Sequence, residues 1–297
     1  MTLRYFGGKK AAAKHIAPVL RPCRELREPY FGSGAVTLWA LGLPGVLPEK
    51  VWINDLDDGI AALWTAVIRE PEKLIALVEA FTPTVAAFVE FKASLLDASY
   101  EMPGVERGFR KLAVHQMSYS GLGTMSGSPI GGLTQGPDNP KDYEVGARWN
   151  PAGIVPHLLD AHTRLRGRAH EDCCTSYDAL DVIRAPGEDV VLYVDPPYVK
   201  AGKTVYQVRY TSDQQHRDLA TVLAASPHRW LLSYDDHPLV RELYAKFQIE
   251  EAEWAYTAHS KKGKIGAELL ILNQVPTPRA LLREEDAISA LFESDPG

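Results

Sequence analysis

The sequence predicts an α/β fold in which a mostly parallel sheet carries helices on both faces. Short apolar segments alternate with helix-like segments in two blocks, and strands that alternate with helices pair in parallel across the crossovers. Residues 189–194, DVVLYV, have the β-branched, apolar character of a strand buried on both sides. Two further apolar runs, 249–256 and 267–273, are joined by a Lys-rich turn, and we expect them to form an antiparallel edge pair.

The elements follow from hydrophobic periodicity and from Gly, Pro and Asx punctuation. In the first block we expect a helix over 10–20, a strand ending at 28–30, a helix over 35–41, a strand over 51–53 and one long helix over 59–81. The second block resumes near residue 165, and we expect a strand entering Asp195, a helix over 212–225, a strand over 230–233 and a helix over 238–247.

The region between the blocks differs in composition. Residues 82–118 have a helical pattern, whereas 119–150 are crowded with Gly, Ser, Pro and Asn. Structureless segments of this length inside a domain are usually functional or disordered. We therefore predict one discontinuous domain, 1–81 with 165–275, an insertion over 82–164, and a C-terminal tail over 276–297.

Composition excludes several classes of protein. No apolar stretch approaches a membrane span, and the start MTLRYFGGKK lacks the apolar core of a signal peptide. Three cysteines, two of them adjacent, favour neither a disulfide scaffold nor a zinc site, and we expect no metal and a reducing cytoplasm. A net charge of −6 argues mildly against a protein that coats nucleic acid, although a local basic face is compatible with it.

Glycines lie between the first strand and the helix that follows it, in EPYFGSGAVT (28–37). Glycine lets the backbone approach a ligand closely, but the spacing is neither GxGxxG nor a Walker A sequence. Asp55 follows about 20 residues later at the end of the next strand, where nucleotide-binding sheets place the acid that accepts ribose hydroxyls. Together they predict a ligand that contains ribose and lacks phosphates.

The segment Asp195-Pro196-Pro197-Tyr198 leaves a buried strand through two prolines. The Asp195 carboxylate and the Pro196 carbonyl are both acceptors, and they can bind the two N–H groups of an aromatic amine, whose lone pair then becomes available. The Tyr198 ring can stack on a base that has left its duplex. A purely structural reading, a rigid strand exit with a capping aspartate, also fits these four residues in isolation.

In this order, the motifs resemble those of DNA adenine-N6 methyltransferases of the Dam type. LRYFGGK (3–9) resembles the opening of that family, EPYFGSG its EPFxGxG loop, and SKKGKIGAELLILN (260–273) its closing basic hairpin. SYSGLGT (118–124) resembles the start of its DNA-recognition region, except that His115-Gln116 stand where the family usually has Asn-Arg.

The resemblance implies a Rossmann-like fold dependent on S-adenosylmethionine (SAM), with a mainly helical and loop insertion for target recognition. It implies methylation of adenine N6 in duplex DNA by base flipping and direct attack, with a catalytic set formed by Asp195, Pro196, Pro197 and Tyr198. The residues expected to bind SAM are Tyr5, Gly8, Lys9, Glu28, Pro29, Tyr30, Gly32, Gly34, Asp55, Tyr177, Asp178 and Asp195.

Exposed basic and aromatic residues near the motifs are expected to contact DNA, namely Tyr119, Ser120, Arg148, Lys200, Lys203, Arg209, Lys261 and Lys262. We favour a monomer, encoded by a bacterium or a phage. The alternatives are an RNA or single-strand adenine methyltransferase, a lapsed SAM- or DNA-binding protein, and a nucleotide-binding oxidoreductase, which the missing GxGxxG disfavours. The recognition sequence, and a role in restriction, in a phage or in regulation, stay open.

Overall fold

Seven strands among the residues that the structure describes form one sheet. The computed structural model describes residues 9–20, 22–45, 47–135, 139, 144–199, 212–256 and 264–273. In chain order the strands are β1 (Glu25–Glu28), β2 (Lys50–Asn54), β3 (Ala169–Thr175), β4 (Val190–Val194), β5 (Arg229–Asp235), β6 (Gln248–Tyr256) and β7 (Lys264–Leu272).

The spatial order of the strands is β3-β2-β1-β4-β5-β7-β6. All pairs from β3 to β5 are parallel, and β7 runs antiparallel between β5 and β6. This confirms the predicted mostly parallel sheet with an antiparallel pair at one edge. The carboxyl ends of β1, β2, β4 and β5 therefore lie on one side of the sheet. The strand order runs outwards in both directions from the β1–β4 pair, and doubly wound sheets bind ligands at such a switch point.

The helices cover both faces of the sheet. They are α1 (Lys10–Ile16), α2 (Ala35–Gly42), α3 (Asp58–Arg69), α4 (Pro71–Ala80), α5 (Val85–Leu96), α6 (Gly104–Met117), α7 (Pro151–Leu165), α8 (Ala179–Arg184), α9 (Asp213–Ala225) and α10 (Pro238–Leu243). None of these helices is long and apolar enough to cross a membrane.

Strand β4 shows how the two faces are filled. Val191 and Tyr193 pack in a cluster with α1 and α2, whereas Leu192 and Val194 pack in a second cluster with α8, α9 and α10. Successive side chains of a strand point to opposite faces, so an uninterrupted apolar run is needed where both faces are covered. The run in residues 190–194 is buried at every position, as its composition predicts.

The prediction of one long helix over 59–81 is wrong. The chain forms two helices, α3 and α4, and Glu70 between them has extended φ, −134°. Pro71 is the first residue of α4, where its missing N–H costs nothing, and a proline disfavours helical backbone in the residue before it. The helix expected over 238–247 likewise ends early, at Leu243, and residues 244–246 form a turn.

The helices of the intervening region share a hydrophobic cluster with the sheet. Phe88 of α5, Leu112 of α6 and Leu158 of α7 belong to the cluster that contains Ile53 of β2 and Trp64 of α3. Helix α6 crosses α3 closely, with Gly108 at the contact. Helices α6 and α7 thus pack on the helices α2, α3 and α4 of the first block, and the role of residues 82–164 as a target-recognition unit stays a prediction.

Candidate active site

The glycine turn after β1 is held in one conformation by its neighbours. The Gly34 N–H donates to the Phe31 carbonyl at 2.7 Å, and Gly34 has a left-handed φ of 65°. A Cβ on Gly34 would lie 2.5 Å from the Phe31 ring, and that ring packs edge-on against Trp64 with 4.9 Å between centroids. Trp64 Nε1 donates to the Gly32 carbonyl at 2.9 Å. The turn therefore requires glycine at position 34 and lies on the carboxyl side of the sheet, after β1.

Asp55 joins this turn to the end of β2. Its Oδ2 accepts from the Gly32 N–H at 2.8 Å and its Oδ1 from the Asp57 N–H at 2.9 Å. Burial raises the pKa of Asp55 to about 6, and the Asp57 carboxylate adds to the rise. A carboxylate offers about four acceptor sites, so two stay available for hydroxyl groups. These acceptor sites suit the two hydroxyl groups of a ribose.

Glu28, the last residue of β1, is buried beside the N-terminus of α2. Its Oε2 accepts from the Thr37 N–H at 3.3 Å. Burial raises the pKa of Glu28 to about 8, and the negative charges of Asp195 and Asp55 contribute to the rise. The side chain therefore carries a proton at neutral pH, and a cation bound next to it would favour its ionisation.

Asn54 fixes the ends of three strands with its side-chain amide. Nδ2 donates to the carbonyls of Pro29, at 3.0 Å, and Tyr177, at 3.1 Å. Oδ1 accepts from the Thr175 hydroxyl at 2.7 Å and from the Tyr177 N–H at 2.9 Å. This network sets the position of the Tyr177 ring, which is 48% exposed beside Trp52. An exposed aromatic ring here suits the adenine of a nucleoside.

Asp178 begins helix α8 as its N-cap, and its carboxylate accepts from the Leu180 N–H at 2.8 Å. A capping role accounts for an aspartate at this position without a ligand. Tyr30 packs against the α8–α10 side of the sheet. Cofactor contacts by Asp178 and Tyr30 stay predictions.

Asp195 stands at the carboxyl end of β4 with two partners on one oxygen. Its Oδ1 accepts from the Ser233 hydroxyl at 2.8 Å and lies 2.9 Å from Lys9 Nζ. Ser233 is also 3.0 Å from the Tyr193 hydroxyl. The Asp195 side chain is 19% exposed, and Pro196 is buried behind it. The carboxylate is thus oriented by Ser233 of β5 and by Lys9, and it is still partly accessible at the carboxyl side of the sheet, which we call the cleft.

Lys9, Tyr198 and Glu268 form a compact cluster beside Asp195. Tyr198 donates its hydroxyl to Glu268 Oε1 at 2.5 Å, and Lys9 Nζ lies 3.3 Å from the same oxygen. The ammonium group is 4.6 Å from the centroid of the Tyr198 ring. Burial lowers the pKa of Lys9, but Asp195 and Glu268 together outweigh that effect, and its pKa is raised. Lys9 therefore stays charged.

The structure brings together residues from the separate motifs. Lys9, Glu28, Gly32, Asp55 and Asp195 all lie at the carboxyl side of the sheet, as the sequence predicts. Tyr119 is 56% exposed in a 3₁₀ turn after α6. Arg148 is exposed in the turn before Trp149, whose ring packs on Phe81 and Phe109 of the helical layer.

Several predicted contacts lie outside the described residues, and so does the tail over 276–297. They are Tyr5, Gly8, Lys200, Lys203, Arg209, Lys261 and Lys262, and the side chain of Ser120.

Three residues of the site, Asn54, Ser233 and Glu268, were missed from the sequence. Ser233 and Glu268 are polar residues inside the apolar strands β5 and β7, where both are buried. Buried charged residues in strands are rare unless they are paired. That pattern, an acid within GAELLIL (266–272) directly before the apolar run of β7, is the signal in the sequence that could have identified Glu268.

One family of known proteins matches most of this chain. The family model described as "D12 class N6 adenine-specific DNA methyltransferase" matches residues 5–122 and 160–258. Among solved structures, the rRNA methyltransferase AviRa from Streptomyces viridochromogenes is similar at 13% identity over 87% of this chain and 80% of that chain, with a TM-score of 0.31. No curated protein sequence matches the chain. At that TM-score the structural likeness adds nothing to the family match.

A mostly parallel sheet with DPPY at the end of a central strand is typical of SAM-dependent methyltransferases, and the family match assigns the chain to this class. The family match covers most of the chain, and the chain belongs to the D12 class of N6 adenine-specific DNA methyltransferases. It is therefore an enzyme that uses SAM to methylate adenine N6 in DNA.

Proposed function

We propose that this enzyme methylates adenine N6 at a specific sequence in duplex DNA, after the target base has been flipped into the cleft. The observation that carries the proposal is the placement of the oriented Asp195 carboxylate and the Tyr198 ring next to the glycine turn and Asp55. An accessible acceptor and an aromatic face at the cofactor cleft are what an extruded adenine requires.

The residues that would hold SAM lie around the glycine turn. Asp55 has two acceptor sites for ribose hydroxyls, the exposed Tyr177 ring is available to the adenine, and Glu28 lies close to the cleft with a proton that it can lose. When bound, SAM supplies an electrophilic methyl group carried on a sulfonium. Lys9 can reach the cofactor carboxylate if it leaves Asp195.

Asp195 and the Pro196 carbonyl act on the target amine. The exocyclic nitrogen of adenine is a weak nucleophile because its lone pair is delocalised into the ring. Two acceptors that bind its N–H groups favour the pyramidal nitrogen, whose lone pair can attack directly, with no covalent intermediate on the enzyme. Ser233 fixes the Asp195 carboxylate for this task at 2.8 Å.

Proton release needs no strong base. The nitrogen becomes cationic on methylation, and such an ammonium is acidic enough to lose its proton to water or to Asp195. Lys9 and Ser233 both contact Oδ1 of Asp195 and hold this carboxylate in place for the target amine.

Duplex DNA is proposed to lie over the cleft and over the segment that follows α6, where Tyr119 is exposed. The family model leaves residues 123–159 unmatched, and we assign base recognition to this part of the chain. Phosphate contacts by Arg148 and by the basic residues beyond the described ranges should make the affinity for DNA depend on salt.

The deciding experiment is methyl transfer from labelled SAM to long unmethylated duplex DNA, with RNA and single-stranded DNA tested in parallel. We expect N6-methyladenine in one short repeated sequence of the duplex. Label in RNA or single strands alone would contradict the proposal, and so would label spread over adenines in every context.

An Asp195→Ala variant tests the catalytic assignment. It should lose methylation by at least about 100-fold, since the carboxylate acts on the reacting nitrogen, while circular dichroism stays unchanged. A wild-type rate in single turnover would refute the role of Asp195.

A further inference from the structure

Glu268 enters the site from a strand that carries no catalytic motif. It lies on β7, which runs antiparallel to β5, and the register pairs Glu268 with Asp235 at the carboxyl end of β5. That register brings the side chain to the edge of the sheet where β4 ends in DPPY. Glu268 is 1% exposed.

One carboxylate oxygen of Glu268 contacts both Tyr198 and Lys9. Oε1 accepts the Tyr198 hydroxyl and lies 3.3 Å from Lys9 Nζ. Lys9 in turn lies 2.9 Å from Asp195. The ammonium group is therefore shared between two carboxylates, of which one is buried and the other is open to the cleft.

Tyr198 is fixed at its hydroxyl and over its ring. Its ring is tilted by 37° to that of Tyr234, at 5.9 Å between centroids, and Lys9 lies over it at 4.6 Å. The hydroxyl lies on the χ2 axis, so its bond to Glu268 restrains rotation about χ1. The contacts of the ring with Lys9 and Tyr234 restrain rotation about χ2, which sets the ring plane. Such pre-orientation lowers the cost of ordering a stacking partner when the base arrives.

We propose that Glu268 is a positioning residue for methyl transfer, which anchors the Tyr198 hydroxyl and helps to hold Lys9 over the Tyr198 ring, so that the ring keeps the plane that receives the adenine. The proposal rests on the proposed function, because it assigns the Tyr198 ring to the target base. Glu268 acts through Tyr198 and Lys9, and it does not itself contact the reacting atoms.

A purely structural role for Glu268 would give different effects on stability and on rate. If Glu268 only balanced the charge of Lys9, its loss would lower stability and leave the rate of the folded enzyme unchanged. If it positions the ring, its loss slows the chemical step and disturbs the stacked base in enzyme that is still folded.

The test uses Glu268→Gln, Glu268→Ala and Tyr198→Phe in the full chain. Glutamine keeps an oxygen for the Tyr198 hydroxyl but loses the charge that attracts Lys9, and phenylalanine keeps the ring but loses the hydroxyl. We expect single-turnover rates at saturating SAM and DNA to fall about 10-fold in Glu268→Gln and Tyr198→Phe and about 100-fold in Glu268→Ala. Glu251→Gln, on the neighbouring strand and paired with Arg241 at 2.6 Å, is the matched control and should keep the wild-type rate.

Two further measurements separate positioning from stability. In the double variant of Glu268→Ala with Tyr198→Phe, the rate should fall no further than in Glu268→Ala, because both changes break the same contact. With 2-aminopurine in place of the target adenine and S-adenosylhomocysteine bound, Glu268→Ala should change the fluorescence of the extruded base while DNA affinity stays within about twofold.

A wild-type rate in Glu268→Ala, or fully additive losses in the double variant, would overturn the role of Glu268. Either result would leave the proposed function standing as long as the wild-type enzyme methylates duplex DNA. Absence of methylation by the wild type would refute the proposed function, and this inference with it. If Glu268→Ala does not fold, Tyr198→Phe decides, since a wild-type rate in that variant excludes a role for the anchored hydroxyl.

Discussion

The buried carboxyl of Glu28 should make the stability of this protein fall as the pH rises. A carboxyl group whose pKa is higher in the folded chain than in the unfolded chain keeps an extra proton in the folded state. The folded state therefore loses stability as the pH rises from the unfolded value towards the folded one. The pKa of Glu28 rises from 4.5 to about 8 on folding. Its contribution to the free energy of unfolding is therefore complete below about pH 4.5 and lost above about pH 8.

The size of this effect follows from the two pKa values. Each pKa unit corresponds to about 1.4 kcal/mol, so the cost of ionising Glu28 in the fold is of order 5 kcal/mol, with about 4 kcal/mol of it between pH 5 and pH 8. Asp55, with a pKa of about 6, adds to the slope only in the acidic part of that range. Burial also raises the pKa of Glu268, so the contribution of Glu28 has to be isolated by comparison with a variant at that residue.

Glu28→Gln is the perturbation that isolates this effect. Glutamine has nearly the shape of a protonated glutamate, and its oxygen can still accept the Thr37 N–H. Urea unfolding between pH 5 and pH 9, followed by the fluorescence of the buried Trp64 and Trp230, gives the free energy of unfolding at each pH. The variant should match the wild type near pH 5 and exceed it by several kcal/mol near pH 9.

Taking the difference between the two proteins at each pH cancels the titration of all other groups. Glu242→Gln, an exposed carboxylate paired with Arg217, is the control and should show no such divergence. A difference between Glu28→Gln and the wild type that is constant from pH 5 to pH 9 would refute the assignment of a raised pKa to Glu28.

Two other substitutions test the contact between α3 and α6. Gly108→Ala places a Cβ 2.6 Å from the Leu63 Cα, which forces the two helices apart. The free energy of unfolding, measured by urea denaturation, should fall by about 1–3 kcal/mol. An unchanged denaturation midpoint would contradict the close crossing. In the wild type, the Lys111 ammonium lies 2.6 Å from Asp57 Oδ2, and its positive charge lowers the pKa of Asp55. Lys111→Met removes that charge. The pKa of Asp55 should then rise. As the pH is lowered, the SAM affinity measured by calorimetry should therefore begin to fall at a higher pH in the variant than in the wild type. Coincident pH profiles of the two proteins would exclude this coupling.

The order of the elements was predictable because it follows from local patterns. The apolar run of β4 is buried on both faces, and its continuous hydrophobicity states this directly. The long helix predicted over 59–81 failed at Pro71, because the hydrophobic period continues across Glu70 while the backbone turns. Periodicity reports which side of a segment is buried, and it does not report a change of direction that leaves the period intact.

The site divides along the same line. Asp55 and Asp195 are predictable because each directly follows a strand. Gly34 is predictable because it lies in a glycine-rich turn between a strand and a helix. Glu268 was missed because its position depends on the register of β7 against β5, which pairs residues far apart in the chain. Register is decided by the packing of the whole sheet, and a single strand does not contain that information.

The antiparallel position of β7 has a consequence for synthesis of the protein on the ribosome. Strand β6 is made before β7, yet β7 lies between β5 and β6 in the finished sheet. Until residue 272 has emerged, a nascent chain can order the earlier strands, but the edge of β5 stays open to other chains. Glu268 arrives with the strand that closes this edge, so the Lys9–Glu268–Tyr198 cluster forms only when the sheet is complete. Truncated translation products should therefore contain both DPPY and the glycine turn and still lack an ordered reaction centre.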